Sequence, residues 1–271
     1  MRLRSVREDS LLQYQIRNLL SRPSTQPLFS RLLTLCHAAL NYGGGQSVGS
    51  SGELDVLRLL RDASWRSNPC TVFDVGANDG EYLTAVLDVL GEGARVWCFE
   101  PHASSFRALQ SSFAAHPRVQ ARNLALGREP GVAHLHFEAD GSTTASLAAN
   151  TAGHASEEVQ VDTVDQVCQN ERIEHIDLLK IDTEGYEMDV LQGASQMINA
   201  GRIRSIQFEF GHTFLATPYH FSDLWELLAP QYVIHRILRR GMVEISRYSH
   251  DLEIYKIANF FCVHKSLAQP R

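Results

Sequence analysis

The chain has 271 residues, 44% of them hydrophobic, which suits one large domain or one domain with an extension. Its formal charge of −6 and pI near 6.0 give no global attraction for nucleic acid, and no stretch reaches the roughly 18 apolar residues of a membrane span. Five scattered cysteines without a C-x-x-C pair fit a reducing, cytoplasmic setting, and Cys70, Cys98 and Cys262, in or beside apolar strand patterns, read as buried thiols.

The first fifty residues read as helices that stand apart from the sheet. Met1–Arg7 is basic, but no apolar run with a small-residue cleavage site comes after it, as a signal peptide would require. Arg2, Arg4, Arg7 and Arg17 leave a transit peptide open, and Glu8 and Asp9 oppose it. Ser10 and Gln13 have capping-box spacing ahead of an apolar stripe, Leu12, Ile16, Leu19 and Leu20, that Pro23 stops. A second stripe, Leu28, Leu32 and Leu35, ends at Gly43-Gly44-Gly45. Ser50 and Glu53 again have capping-box spacing, ahead of Leu54, Leu57 and Leu60. Residues 1–51 are expected to form a helical N-terminal extension. It would pack on the sheet or on a second subunit, giving a homodimer, with a substrate lid as the functional alternative.

From Cys70 onward strands and helices alternate, the pattern of a parallel sheet. Thr71–Val75 is a strand, and a loop with Gly76, Asn78 and Gly80 succeeds it. A helix with Leu83, Val86, Leu87 and Leu90 at i, i+3, i+4 and i+7 comes next. This is how a doubly wound sheet builds a nucleotide pocket. Arg95–Phe99 is a second strand, and Glu100 at its tip is placed to accept hydrogen bonds from both hydroxyls of a ribose. The glycines are spaced G-x-x-x-G, not the G-x-G-x-x-G of dinucleotide sites. Asp74 would repel a pyrophosphate and suits a cationic amine end, as in S-adenosylmethionine.

Val119–Leu124 is the third strand. Val132–Phe137 and Glu158–Val161 then alternate, predicting an inserted hairpin around a polar loop, Gly141–Ala149. Ile176–Ile181 is a nearly continuous apolar run, broken by Asp177 and Lys180, as in a central parallel strand. Asp182 stands at its carboxyl end, where open α/β sheets bind ligands, with Glu184 and Glu187 close by. Ile206, Phe208 and Phe210 alternate in the next strand. Tyr232–His235, Met242–Ile245 and Asn259–Val263 give an antiparallel ending.

VFDVGANDGEY at 72–82, CFEP at 98–101, NLALG at 123–127, VDTVD at 161–165 and LLKIDTEGYEMDVLQGA at 178–194 together resemble the FkbM-type methyltransferases, over about Thr71 to Gly211. The resemblance implies a Rossmann-like class I S-adenosylmethionine-dependent methyltransferase domain over residues 52–271. Its sheet would have seven strands, mostly parallel, with an antiparallel last strand. It implies that Asp74, Gly76, Asn78 and Gly80 line the methionine end of the cofactor and that Glu100 holds the ribose. Asn123 and Leu124 would lie by the adenine, and Asp182 would face the reacting end. It also implies a hydroxyl acceptor on a sugar, glycolipid or natural product.

An aliphatic hydroxyl needs a base or a metal to lose its proton. Asp182, Glu209 and His212 are the candidates. They could hold a divalent metal by type, but their spacing is not a metal signature. The rivals are an RNA or protein methyltransferase, an inactive binding protein of the same fold, and an NAD-dependent oxidoreductase. Arg236, Arg239, Arg240 and Arg247 form the late basic cluster an RNA substrate would want, and a solvated strand end explains them as well.

Overall fold

The computed structural model describes residues 11–44, 47–137, 145–146 and 155–268. Four helices come first: α1 (Leu11–Leu20), α2 (Gln26–Ala39), α3 (Val48–Ser51) and α4 (Glu53–Asp62). Next come β1 (Cys70–Val75), α5 (Glu81–Leu90), β2 (Ala94–Phe99), α6 (Ala103–Phe113), β3 (Val119–Arg122), β4 (Ala125–Leu126), β5 (Gly131–Phe137), β6 (Ala145–Ser146) and β7 (Ala155–Asp162). The second half holds α7 (Val164–Glu171), β8 (Leu178–Ile181), α8 (Glu187–Gln192), α9 (Ser195–Asn199), β9 (Ser205–Phe210), α10 (Phe221–Leu228), β10 (Tyr232–Ile237), β11 (Met242–Ile245) and β12 (Ala258–His264).

The main sheet runs β3-β2-β1-β8-β9-β12-β10-β11. The pairs among β3, β2, β1, β8 and β9 are parallel, and β12 is antiparallel to both β9 and β10. This is the mostly parallel Rossmann-like sheet with its reversed last strand. β11 adds an eighth strand at the edge, antiparallel to β10. The inserted hairpin is present as β5 and β7, paired antiparallel in a separate small sheet. Most of Gly141–Ala149, and His154, lie outside the described residues; Ser146 pairs with His136.

Two apolar layers sandwich the main sheet. One gathers Phe73, Phe99, Leu179, Phe208 and Phe260 beneath α7, α8 and α10. The other gathers Val72, Val96, Leu178 and Phe261 with Leu57 and Leu60 of α4 and Val86 of α5. The alternating side chains of each strand supply both layers, which is why the central strands read as continuous apolar runs. Asp177, buried at the amino end of β8, accepts hydrogen bonds from the backbone of Ser67 and Thr71 and pairs with Arg204 at 2.5 Å. It ties the entry of β1 to that of β9.

The expected cap at Ser50 does not form. Gly52, at φ +96, breaks the helix between α3 and α4 and itself stands at the start of α4. Glu53 turns inward and accepts from Ser51 Oγ at 2.7 Å, while Ser50 Oγ lies 2.9 Å from Ser47 Oγ. Ser10 lies outside the described residues. Asn41, Tyr42 and Val48 are buried, and Asn41 Nδ2 donates to the carbonyls of Ser51 and Ile237. By contrast α2 has no buried residue.

Candidate active site

Two cavities open at the carboxyl ends of β1, β2, β8 and β9. The first, about 720 Å³ with its open mouth included, is lined by Phe99, Glu100, Pro101, Leu124, Leu126 and Leu135 among others. The second, about 1940 Å³ and open to solvent, is lined by Glu53, Tyr82, Lys180, Glu209, His212 and Lys256 among others. Gly76, Asn78, Asp182 and Glu184 border both, so the two form one bent cleft.

The loop after β1 makes this junction. Gly76 has φ +80, and a Cβ there would lie 1.8 Å from the Asp182 carbonyl oxygen. Only glycine lets the loop pass so close to β8's exit. Asn78, also at positive φ, donates its N–H to Glu100 Oε2 at 2.8 Å. His102 N–H donates to Glu100 Oε1 at 2.8 Å. Each carboxylate oxygen thus spends one lone pair on the backbone and keeps another toward the cavity. Burial raises the Glu100 pKa to about 7, against the lowering effect of these two donors. Gly80 lines neither cavity: a Cβ there would strike Phe113 and Leu109 of α6, so its glycine serves helix packing. Asn123 is exposed and donates to the carbonyls of Glu100 and Pro101, holding the strand tip, whereas Leu124 lines the first cavity.

Asp74 is fully buried and lines neither cavity. Strand register explains its surroundings. Cys98, Asp74, Lys180, Gln207 and Phe261 are successive partners across β2, β1, β8, β9 and β12. Lys180 Nζ stands 3.6 Å from Asp74 Oδ1 and 3.1 Å from Asp182 Oδ2, and 4.8 Å from the Tyr82 ring centre. Burial lowers the Lys180 pKa, but Asp182, Asp74 and Glu53 outweigh it and raise the value overall, so the ammonium is held charged. The row continues in hydrogen bonds. Tyr82 Oη donates to Gln207 Oε1 at 3.2 Å, and Gln207 Nε2 donates to Glu53 Oε1 at 2.6 Å.

Asp182, Glu209 and His212 all line the second cavity. His212 is exposed at the start of a short 3-10 turn. Burial, then Asp182, Glu184 and Glu187, push the Glu209 pKa up to about 9. Glu184, at φ +55, is raised to about 7 by burial and by Asp182. Glu187 is a scaffold residue: its Oε1 accepts from the N–H groups of Thr183 and Gly185 and shapes the turn after Asp182. Among the described residues no group of three His, Cys, Asp or Glu is placed to hold a metal ion.

Glu53, Tyr82, Lys180 and Gln207 are the residues that sequence reasoning passes over. A signal existed for Lys180, the one cation in the apolar run Leu178–Ile181.

A mostly parallel sheet with a glycine loop, a strand-tip acid and an acidic cavity at its carboxyl edge has the layout of a cleft for a nucleotide-type ligand. The Methyltransferase FkbM domain matches residues 74–236, and the chain belongs to that family. The hexuronic acid methyltransferase AglP of Haloferax volcanii is 28% identical over 162 residues, covering 58% of this chain and 60% of the relative. The chain therefore spans less than two thirds of that curated relative. An FkbM methyltransferase of Methylobacillus flagellatus KT is similar at a TM-score of 0.47, with 17% identity over 74% of this chain and 47% of that one. Aeropyrum pernix fibrillarin, solved with natively bound S-adenosyl-L-methionine, is similar at 0.42, with 11% identity over 78% of this chain and 73% of that one.

Proposed function

We propose that this methyltransferase uses S-adenosylmethionine and methylates a hydroxyl oxygen of a sugar, glycan or similar small polyhydroxylated acceptor. The observation that carries this reading is the bent cleft. An apolar arm with Glu100 at its wall meets an acidic arm at Gly76, Asn78 and Asp182. The residues fit the cofactor. Leu124, Leu126, Leu135 and Phe99 would flank an adenine, and Glu100's remaining lone pairs would accept from the ribose hydroxyls. Asp182 and Glu184 would face the cationic end. Asp74 acts from beneath, through Lys180. When bound, the cofactor supplies an electrophilic methyl group on a sulfonium.

The chain's own residues must orient the acceptor oxygen and take its proton. Glu209 is the assigned base. Its raised pKa makes it a good proton acceptor once ionised, and a cation entering the cleft lowers that pKa toward neutrality. The Lys180 ammonium holds Asp182 in place. His212, at the exposed rim, passes the proton to solvent. Alignment of acceptor and methyl group at the bend supplies several kcal/mol more. The AglP relative, named for a hexuronic acid, supports a glycan acceptor. The acids lining the inner cavity disfavour a polyphosphate chain such as RNA.

The test is to incubate cell extract with the enzyme and a deuterated-methyl cofactor and to track the label by mass spectrometry. A labelled sugar-containing small molecule is expected. Label confined to RNA or protein would overturn the acceptor class.

A further inference from the structure

Charge is segregated along this chain. Residues 10–52 carry Arg17, Arg22 and Arg31 and no Asp or Glu, whereas residues 53–271 carry 19 Lys and Arg against 29 Asp and Glu. The basic stretch contains α1 and α2, none of whose described side chains is buried. No residue of α2 is buried, and Leu19, Leu28, Leu33 and Leu35 are each more than half exposed. Helices of 10 and 14 residues are marginal in water without packing, and a contiguous apolar face of this kind marks an interaction surface.

We propose that α1 and α2 dock on a membrane surface carrying anionic lipid. Such a surface offers both things the helices lack: an apolar layer for the leucines and negative headgroups for the arginines. Pairing of two copies through these faces would set arginine against arginine with no acid between them. The acidic body, with its excess of carboxylates, is repelled by the same headgroups, so contact is confined to the helices. Gly43 and Gly44, a few residues beyond the end of α2 at Ala39, line the acceptor-side cavity. Docking therefore sets the mouth of that cavity beside the lipid surface. Among the described residues no helix is long and apolar enough to cross a membrane.

The test is sedimentation of the full-length protein with vesicles of phosphatidylcholine alone or with phosphatidylglycerol added. Retention on the anionic vesicles is expected, weakened by salt. Arg22→Glu with Arg31→Glu should lower partitioning about tenfold or more. Leu28→Ser with Leu32→Ser and Leu35→Ser should lower it about a hundredfold. Neither change should move the melting temperature much, because these residues are exposed. Equal sedimentation with and without phosphatidylglycerol would overturn the proposal. So would full retention of the leucine variant, or a parent dimer in light scattering that ignores vesicles and that the leucine variant splits.

Discussion

Lys180 and Asp74 are register partners on adjacent parallel strands, and their charged ends approach to 3.6 Å under the floor of the cleft. Removing the Lys180 charge leaves Asp74 buried and uncompensated, whereas Lys180 would still have Asp182 at 3.1 Å. Lys180→Met should therefore cost about 3–5 kcal/mol of stability. Adding Asp74→Asn should recover part of it. Denaturant melts of the two single variants and the double variant measure the coupling, and strict additivity would show that the pair does not interact.

Gly76→Ala tests the junction of the two arms. The added methyl group would lie 1.8 Å from the Asp182 carbonyl oxygen, on a backbone at φ +80. The loop must shift or the strand tip must retreat. Stability should drop by about 2 kcal/mol or more, and calorimetry should show weakened cofactor binding. An alanine variant with parental stability and affinity would mean that the loop is not held against β8.

Glu100→Ala removes the acceptor of the Asn78 and His102 N–H groups together with the proposed ribose contact. Two charge-assisted hydrogen bonds, at about 1.5–3 kcal/mol each, predict a loss of about a hundredfold or more in S-adenosylmethionine affinity by calorimetry. The rate at saturating cofactor should change far less. A large fall in that rate with unchanged affinity would place the cofactor elsewhere.

Glu209 sets the pH behaviour. Its folded pKa of about 9 lies above its ordinary value of 4.5. The native state therefore holds a proton that the unfolded state releases between those limits, and this contribution to stability falls as pH rises across the window. Glu209→Gln should flatten that slope in melts taken from pH 5 to pH 9. As the assigned base, the same variant should lose about 10²–10⁴ in rate. A variant that keeps the parental rate would shift the role to Asp182 or His212.

Cofactor entry should also expel protons from this cluster, because a cation beside Glu184 and Glu209 lowers their raised pKa values. Calorimetric titrations in buffers of different ionisation enthalpy should report net proton release. Zero release would separate the cationic end from the acids.

Much of the fold is encoded locally. The apolar runs, the G-x-x-x-G loop and the acid after Phe99 depend on near-neighbour patterns, so β1, α5, β2 and the position of Glu100 arise from short-range order. So does the presence of Asp182 and Glu209 at strand ends. Asp74 was legible as an unusual acid but not as a buried one, because its partner comes from a strand about a hundred residues away in sequence that pairs with β1 only in the folded sheet.

The amino-acid sequence alone determined the kind of sheet and which acids stand at its mouth, since periodicity and turn chemistry act over a few residues. Only the tertiary structure decided what those acids face. The order β1-β8-β9 brings Lys180 beside Asp74 and Gln207 beside Lys180, and α4 carries Glu53 in to meet them. Such neighbours are fixed by sheet register and by burying apolar layers on both faces, and no local pattern encodes either.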